Sequence, residues 1–199
     1  MKKLLKPTES TSDVIALCAI SIESDDLRNR LNSVATHIGQ EETIYEQRGE
    51  SKSLFEIASS VNVAGVVTCN EMKKIYKSPF SRSGSRSRAI YDRLRGQSRH
   101  GKCPLCAHRD ASTLDHYLAK STHPTFALTP LNLVPSCASC NKNKLDFDIY
   151  CLDYAYNRND DDLISHIIST GIKPETSTLL YASNKHKRLE LARSLKIEI

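Results

Sequence analysis

The hydrophobic positions of the first third of the chain recur with the period of a helix. Four apolar residues after Ser24 lie three or four positions apart. They are Leu27, Leu31, Val34 and Ile38. Because such residues share one face of a helix, the pattern predicts an amphipathic helix with Ser24 as its N-cap. The apolar run at 14–22 is shorter than the roughly 20 residues that span a bilayer, so we expect a buried segment there and no membrane partner.

Shorter patterns follow this helix. One helix is predicted to begin at Leu54, and another is predicted after Asn70 as its cap. The stretch Ser81–Ser87 combines small residues with Gly84, a composition that predicts a hinge. Residues 88–99 then place apolar side chains on one side and arginines on the other, which predicts a basic amphipathic helix. Its apolar positions are Ile90, Tyr91 and Leu94.

These patterns divide the chain into three parts. We predict a helical N-terminal region at 1–80, a central module at 81–150 and a helical C-terminal region at 151–199. With 39% hydrophobic and 26% charged residues, the composition is that of a globular protein. No catalytic motif is found in the first eighty residues, so the chemistry is expected in the central module.

Four of the seven cysteines form two Cys-x-x-Cys pairs. They are Cys103, Cys106, Cys137 and Cys140. Each pair can present two thiolates from one tight turn, and four sulfurs satisfy tetrahedral zinc without leaving a position for water. We therefore predict a structural Zn²⁺. An odd number of cysteines argues against a disulfide framework and favours a reducing, cytoplasmic location.

The positive charge is concentrated in the centre of the chain. Residues 81–144 carry 11 basic and 3 acidic side chains, within a net charge of +5 for the whole protein. Such a concentration favours a polyanionic partner, most simply nucleic acid, although a solvated surface is the alternative. The predicted phosphate contacts are Arg82, Arg86, Arg88, Arg93, Arg95, Arg99, Lys102, Lys142 and Lys144.

Further polar residues lie between and after the cysteine pairs. The segment 114–121 reads LDHYLAKS, the segment 129–135 reads TPLNLVP, and Asn141 follows the last cysteine directly. Together with the cysteines, this order resembles the HNH endonuclease superfamily in its four-cysteine variety. The resemblance implies an α+β fold that is mostly helical around a central, zinc-stabilised ββα-metal module.

The resemblance also assigns candidate roles. His116 matches the general base that activates water, and an imidazole with an ordinary pKa of about 6.5 suits that task. Asp115 and Asn141 match the ligands of a catalytic ion, and oxygen ligands suit Mg²⁺ or Mn²⁺. Asn132 matches the residue that fixes the hairpin loop. Asn141 stands where the commonest form has histidine, which favours hard ions over Zn²⁺ or Ni²⁺.

The function implied is metal-dependent hydrolysis of phosphodiester bonds in DNA or in structured RNA such as tRNA. The layout of the chain is similar to the Septu-type nuclease subunits of bacterial antiphage defence, which act with an ABC-like ATPase. The competing hypothesis is a zinc-containing adaptor that binds nucleic acid or protein without catalysis.

Overall fold

A computed structural model of the protein describes residues 4–51 and 53–144. The predicted helical C-terminal region lies outside the described residues. Helix α1 spans Thr11–Ile20, and its N-cap Ser10 accepts a hydrogen bond from the backbone nitrogen of Asp13. The apolar run at 14–22 is therefore mainly helical, and it is buried at Cys18 and its neighbours, as predicted.

The helix predicted after Ser24 is two helices. Helix α2 spans Asp25–Ser33, and Ser24 caps it by accepting a hydrogen bond from the backbone nitrogen of Leu27, which confirms the predicted cap. The chain then turns at Val34, and α3 spans Ala35–Glu50. The turn was not evident from the sequence, because the apolar faces of both helices pack into the same core.

A short hairpin and a fourth helix follow. Strand β1 spans Asn62–Val63 and pairs antiparallel with β2, Val67–Thr68. Helix α4 spans Cys69–Ile75, so the predicted cap at Asn70 is wrong. Thr68 caps the helix instead, because it forms a reciprocal capping box with Glu71. The segment Leu54–Glu56, predicted as a helix start, is a single 3₁₀ turn.

The segment Ser81–Ser87, predicted as a hinge, is a turn fixed by its own hydroxyl groups. Ser81 donates to the carbonyl of Lys77, Ser85 to that of Phe80, and Ser87 to that of Pro79. These bonds tie the turn to the π-helical residues that extend α4. Helix α5 follows over Arg88–Gly96, with its apolar face buried as predicted.

The central module contains two strands and a helix in the order β-β-α. Strand β3 spans Thr113–His116 and pairs antiparallel with β4, Leu133–Ser136, with His116 opposite Leu133. Helix α6 spans Ala138–Lys144. The predicted α+β fold class is confirmed.

One apolar core crosses the predicted boundary between the N-terminal region and the central module. It contains Val14 and Leu31 from the helices together with Leu114 and Leu133 from the β3–β4 hairpin. The described residues on the two sides of position 80 therefore share one hydrophobic core. None of the described helices is long and apolar enough to cross a membrane.

Candidate active site and metal centre

The four cysteines of the two Cys-x-x-Cys pairs form one cluster. Their sulfur atoms all lie within 4.8 Å of one another, and the sulfurs of Cys106 and Cys137 are 3.9 Å apart. A zinc–sulfur distance of about 2.3 Å gives tetrahedral sulfur–sulfur edges of about 3.8 Å. The cluster can therefore hold a structural zinc ion, and its four ligands would fill the coordination sphere.

Backbone geometry shapes the first pair into a zinc knuckle. The nitrogen of Cys103 donates to the carbonyl of Arg109 at 2.8 Å, and Ala107 adopts a left-handed conformation with φ of 56°. Burial alone would raise the pKa of Cys106, but hydrogen bonds from the amides of Arg109 and His108 outweigh it and lower that pKa to about 6. These hydrogen bonds thus favour the thiolate of Cys106, whereas burial raises the pKa of Cys103 in the same knuckle.

His116 ends strand β3, and its imidazole is held inside the protein with 1% of the residue exposed. The ring atom Nε2 lies 3.0 Å from the carbonyl oxygen of Ala127. Because a carbonyl oxygen only accepts hydrogen bonds, this contact places a proton on Nε2, so Nδ1 is the unprotonated nitrogen whenever the ring is neutral. The ring of Tyr76 packs edge-on against the imidazole, with centroids 4.5 Å apart.

The alternation of strand β3 and the contacts of Asn141 indicate that Asp115 and Asn141 belong to the same face of the hairpin. Successive side chains of a strand point to opposite faces, so Asp115 shares a face with Thr113. The amide Nδ2 of Asn141, on α6, donates to the hydroxyl of Thr113 at 3.1 Å, and this contact places α6 on that face. Nδ2 also approaches the carbonyl of Leu114 at 3.4 Å, so Oδ1 of Asn141 points the other way. Asp115 is 4% exposed, and its Oδ1 accepts a hydrogen bond from the backbone nitrogen of His116.

Asn132 is fully buried, and its side chain uses all four hydrogen-bonding positions of an amide. Oδ1 accepts from the backbone nitrogen of Leu118 at 2.7 Å and from the hydroxyl of Tyr45 at 3.1 Å. Nδ2 donates to the carbonyls of Leu118 and Phe126, both at 3.0 Å. These bonds join the chain leaving β3 to the chain entering β4, on either side of the loop that carries Ala127.

The predicted basic residues divide into two sets. Four of the seven that precede the first cysteine are ion-paired within the protein: Arg88 and Arg95 with Asp92, Arg93 with Glu9, and Lys102 with Asp110. In sequence only Asp92 lay close enough to oppose them, so the pairing of Arg93 with a residue of the N-terminal segment was not predicted.

Four of the five remaining basic residues are accessible to a polyanion. Arg82, Arg86, Arg99 and Lys142 are exposed, and within the described part of the chain none of them forms an ion pair. The side chain of Lys144 lies outside the described residues. Arg82 and Arg86 extend from the turn whose serine hydroxyls donate to the backbone carbonyls of the π-helical segment.

Sequence reasoning missed Tyr45, Tyr76 and Ala127. Tyr45 and Tyr76 belong to the N-terminal region, in which no catalytic motif was found, and they reach the site only through tertiary packing. Ala127 contributes a backbone carbonyl, and no pattern of residue types signals such a contact. Tyr76 follows Met72 and Ile75 in the helix predicted after Asn70, but that pattern does not indicate what its ring packs against.

Comparison with known proteins gives one distant relative. Protein Ea31 of Escherichia phage lambda is 28% identical to the chain over 148 residues, which cover 71% of this chain and 50% of Ea31. The chain thus spans about half the length of that relative. No family model and no solved structure matches the chain.

Proposed function

We propose that the protein is a metal-dependent endonuclease of the HNH type that hydrolyses phosphodiester bonds. The observation that carries this proposal is the hydrogen bond between His116 Nε2 and the carbonyl of Ala127. A general base must be neutral and must present a lone pair in a fixed direction. The carbonyl satisfies the second condition, because it fixes the tautomer of the neutral ring and directs Nδ1 away from itself.

In the proposed reaction His116 Nδ1 takes a proton from the water that attacks the phosphorus atom. Asp115 and Asn141, which lie toward one face of the hairpin, would supply oxygen ligands to Mg²⁺ or Mn²⁺. When bound there, such an ion polarises the phosphate and stabilises the departing oxygen. Asn132 acts through the loop, because its four hydrogen bonds hold the segments on both sides of Ala127.

DNA is the proposed substrate, and structured RNA such as tRNA is the alternative. Arg82, Arg86, Arg99 and Lys142 are exposed and supply the positive charge that phosphates require. A role in antiphage defence, in the cytoplasm and with an ABC-like ATPase as partner, is proposed from the resemblance of the motifs alone. A neighbouring ATPase gene would support that role.

One observation favours a second function, a zinc-containing adaptor without catalysis. His116 and Asp115 are 1% and 4% exposed, and a buried histidine bonded to a carbonyl is also what a purely structural residue looks like. As an enzyme the protein must let substrate reach the imidazole, whereas as an adaptor it never does. The two functions therefore differ in whether the protein cleaves nucleic acid and whether that cleavage requires His116.

The experiment incubates the zinc-loaded protein with plasmid DNA and, separately, with tRNA in Mg²⁺ or Mn²⁺. It is run with and without any ATPase encoded beside the gene. The control is His108→Ala, since His108 is an exposed histidine beside the zinc knuckle. Cleavage that disappears in His116→Ala but persists in His108→Ala supports the nuclease. Binding of nucleic acid without cleavage by the unaltered protein supports the adaptor.

A further inference from the structure

Two tyrosines of the helical N-terminal region reach the residues assigned to the chemistry. We propose that Tyr45 and Tyr76 are positioning residues of the nuclease site, Tyr45 for Asn132 and Tyr76 for His116. This inference rests on the proposed function. It changes the role of the N-terminal region, which becomes part of the active site.

Tyr45 acts on Asn132 from helix α3. Its hydroxyl donates to Oδ1 of Asn132 at 3.1 Å, across 87 positions of sequence, and its ring packs against Phe126 with centroids 5.1 Å apart. Tyr45 is buried in a small apolar cluster with Leu118 and Phe126. The backbone groups of these same two residues bond the amide of Asn132. Tyr45 therefore contacts Asn132 directly and also packs on the two segments that Asn132 joins.

One of the four hydrogen bonds that orient the amide of Asn132 comes from this hydroxyl. An amide oxygen accepts two hydrogen bonds, and one of the two at Asn132 comes from Tyr45. Without the hydroxyl, one acceptor position of a fully buried amide is left unfilled. The side chain and the loop that it ties would then relax, and with them the carbonyl of Ala127 that directs His116.

Tyr76 acts on His116 from the π-helical turn that extends α4. Its ring lies edge-on to the imidazole at 4.5 Å, and its hydroxyl donates to the carbonyl of Leu114 on strand β3 at 3.1 Å. Burial raises the pKa of Tyr76 well above its ordinary value, so the hydroxyl stays a donor. The ring is thus anchored to the strand that carries the imidazole. It limits rotation of that imidazole about its Cβ–Cγ bond.

Tyr91 provides a matched control. It is also a buried tyrosine, and its hydroxyl accepts a hydrogen bond from the backbone nitrogen of Leu114 at 3.2 Å. It therefore bonds the same strand as Tyr76, but its ring packs against Phe80 and the guanidinium of Arg88. Tyr91→Phe removes a comparable buried hydrogen bond. The lost bond involves neither His116 nor Asn132.

The test compares Tyr45→Phe, Tyr76→Leu, Tyr76→Phe and Tyr91→Phe in the full-length, zinc-loaded protein. We expect Tyr45→Phe and Tyr76→Leu to lower kcat by about tenfold with KM changed less than about twofold, since small misplacements of reacting groups are costly. Tyr76→Phe, which keeps the ring, should retain most of the activity, and Tyr91→Phe should keep kcat within about twofold. Equal loss of kcat in Tyr91→Phe, after correction for the folded fraction, would overturn the inference.

A readout without activity separates this inference from the proposed function. The imidazole ¹⁵N signals of His116, assigned with His116→Gln, report its tautomer, and the side-chain amide signals of Asn132 report its hydrogen bonds. We expect Tyr76→Leu to change the first set and Tyr45→Phe the second, while Tyr91→Phe changes neither. If both sets are unchanged in these variants, the positioning roles are wrong, whether or not the unaltered protein cleaves nucleic acid. If the signals change and there is no cleavage, only the nuclease proposal fails.

Discussion

The imidazole Nε2 of His116 lies 3.0 Å from the carbonyl oxygen of Ala127, eleven positions further along the chain. His116 ends strand β3, and Ala127 follows a 3₁₀ turn in the connection to β4. The connection therefore folds back over the end of its own hairpin, and its carbonyl places a proton on Nε2 of His116. This relationship makes the loop as important to the proposed chemistry as the strand.

Loss of the zinc ligands should unfold the central module. Zinc binding contributes an apparent free energy of about 10 to 16 kcal/mol in small zinc modules, which is comparable with the whole stability of a domain. We expect one zinc per chain by elemental analysis. Cys137→Ser should lose the metal, and its thermal unfolding transition should broaden or disappear.

Cys69→Ser is the control for the zinc site. Cys69 is not part of the four-cysteine cluster, and its sulfur approaches the backbone carbonyls of Lys120 and Ser121. This variant should keep one zinc per chain and a sharp transition. Full zinc occupancy together with unaltered unfolding in Cys137→Ser would show that the cluster does not hold the ion.

Replacement of Asn132 by alanine should be strongly destabilising. The change leaves the backbone nitrogen of Leu118, two carbonyls and the hydroxyl of Tyr45 without their partner in a buried site. Unsatisfied buried groups cost about 1 to 3 kcal/mol each before relaxation, so we expect a loss of about 3 kcal/mol in the free energy of unfolding. Chemical denaturation measures it. The exposed residue Asn70 is the control, because Asn70→Ala should cost less than about 0.5 kcal/mol.

The ion pair between Arg30 and Glu71 should make stability depend on pH below neutrality. Two hydrogen bonds from the guanidinium, at 2.7 and 3.1 Å, are the main cause that lowers the pKa of Glu71 from 4.5 to about 2. Because the pKa is lowered in the folded state, ionised Glu71 stabilises the fold above about pH 4.5, and this contribution is lost as the pH falls toward 2.

Glu71→Gln tests this dependence by thermal unfolding at a series of pH values. The variant should be less stable by about 1 kcal/mol at pH 7, since the pair is partly exposed. The difference from the unaltered protein should shrink below about pH 4.5. Glu23→Gln, at an exposed position, should show no such difference. A constant gap at all pH values would mean that the ion pair is not its source.

The exposed arginines of the 81–87 turn should carry binding to nucleic acid. Each phosphate contact contributes about one unit to the slope of log K against log salt concentration, so Arg82→Ala with Arg86→Ala should reduce that slope by about two. Fluorescence anisotropy with labelled duplex DNA at several salt concentrations measures it. Binding unaffected by the double substitution would place the interface elsewhere.

Arg93→Ala should affect folding instead of binding. The carboxylate of Glu9, which is 8% exposed, accepts a hydrogen bond from Arg93 at 2.7 Å and would be left buried without it. We expect lower stability with an unchanged salt slope. The two arginine variants therefore separate charges that face solvent from charges that hold the N-terminal segment.

The sequence predicted what depends on local patterns. Helical spacing and a cap at Ser24 located α2, and the two Cys-x-x-Cys pairs located the metal cluster. The helix signal and each cysteine pair are local patterns, although the two pairs are about thirty residues apart. The turn at Val34 was missed because it leaves the apolar period unbroken. At Ser81–Ser87, where composition predicted a hinge, the structure has a turn whose serine hydroxyls bond backbone carbonyls, and local composition does not reveal such bonds.

What the sequence could not predict depends on contacts between distant segments. Tyr45 and Asn132 are 87 positions apart, and Glu9 and Arg93 are 84 apart. No periodicity links such pairs, since the core that brings them together is common to the N-terminal helices and the hairpin. The candidate residues at 115, 116, 132 and 141 were named from motif resemblance, and their roles in catalysis are still predictions.

The most direct test is the initial rate of plasmid cleavage by the zinc-loaded protein in Mn²⁺, compared with that of His116→Ala prepared identically. A lost general base lowers the rate by about 100-fold to 10,000-fold, so we expect at least the lower figure, with zinc content and unfolding temperature retained in the variant. Cleavage by folded His116→Ala at the rate of the unaltered protein would contradict the account.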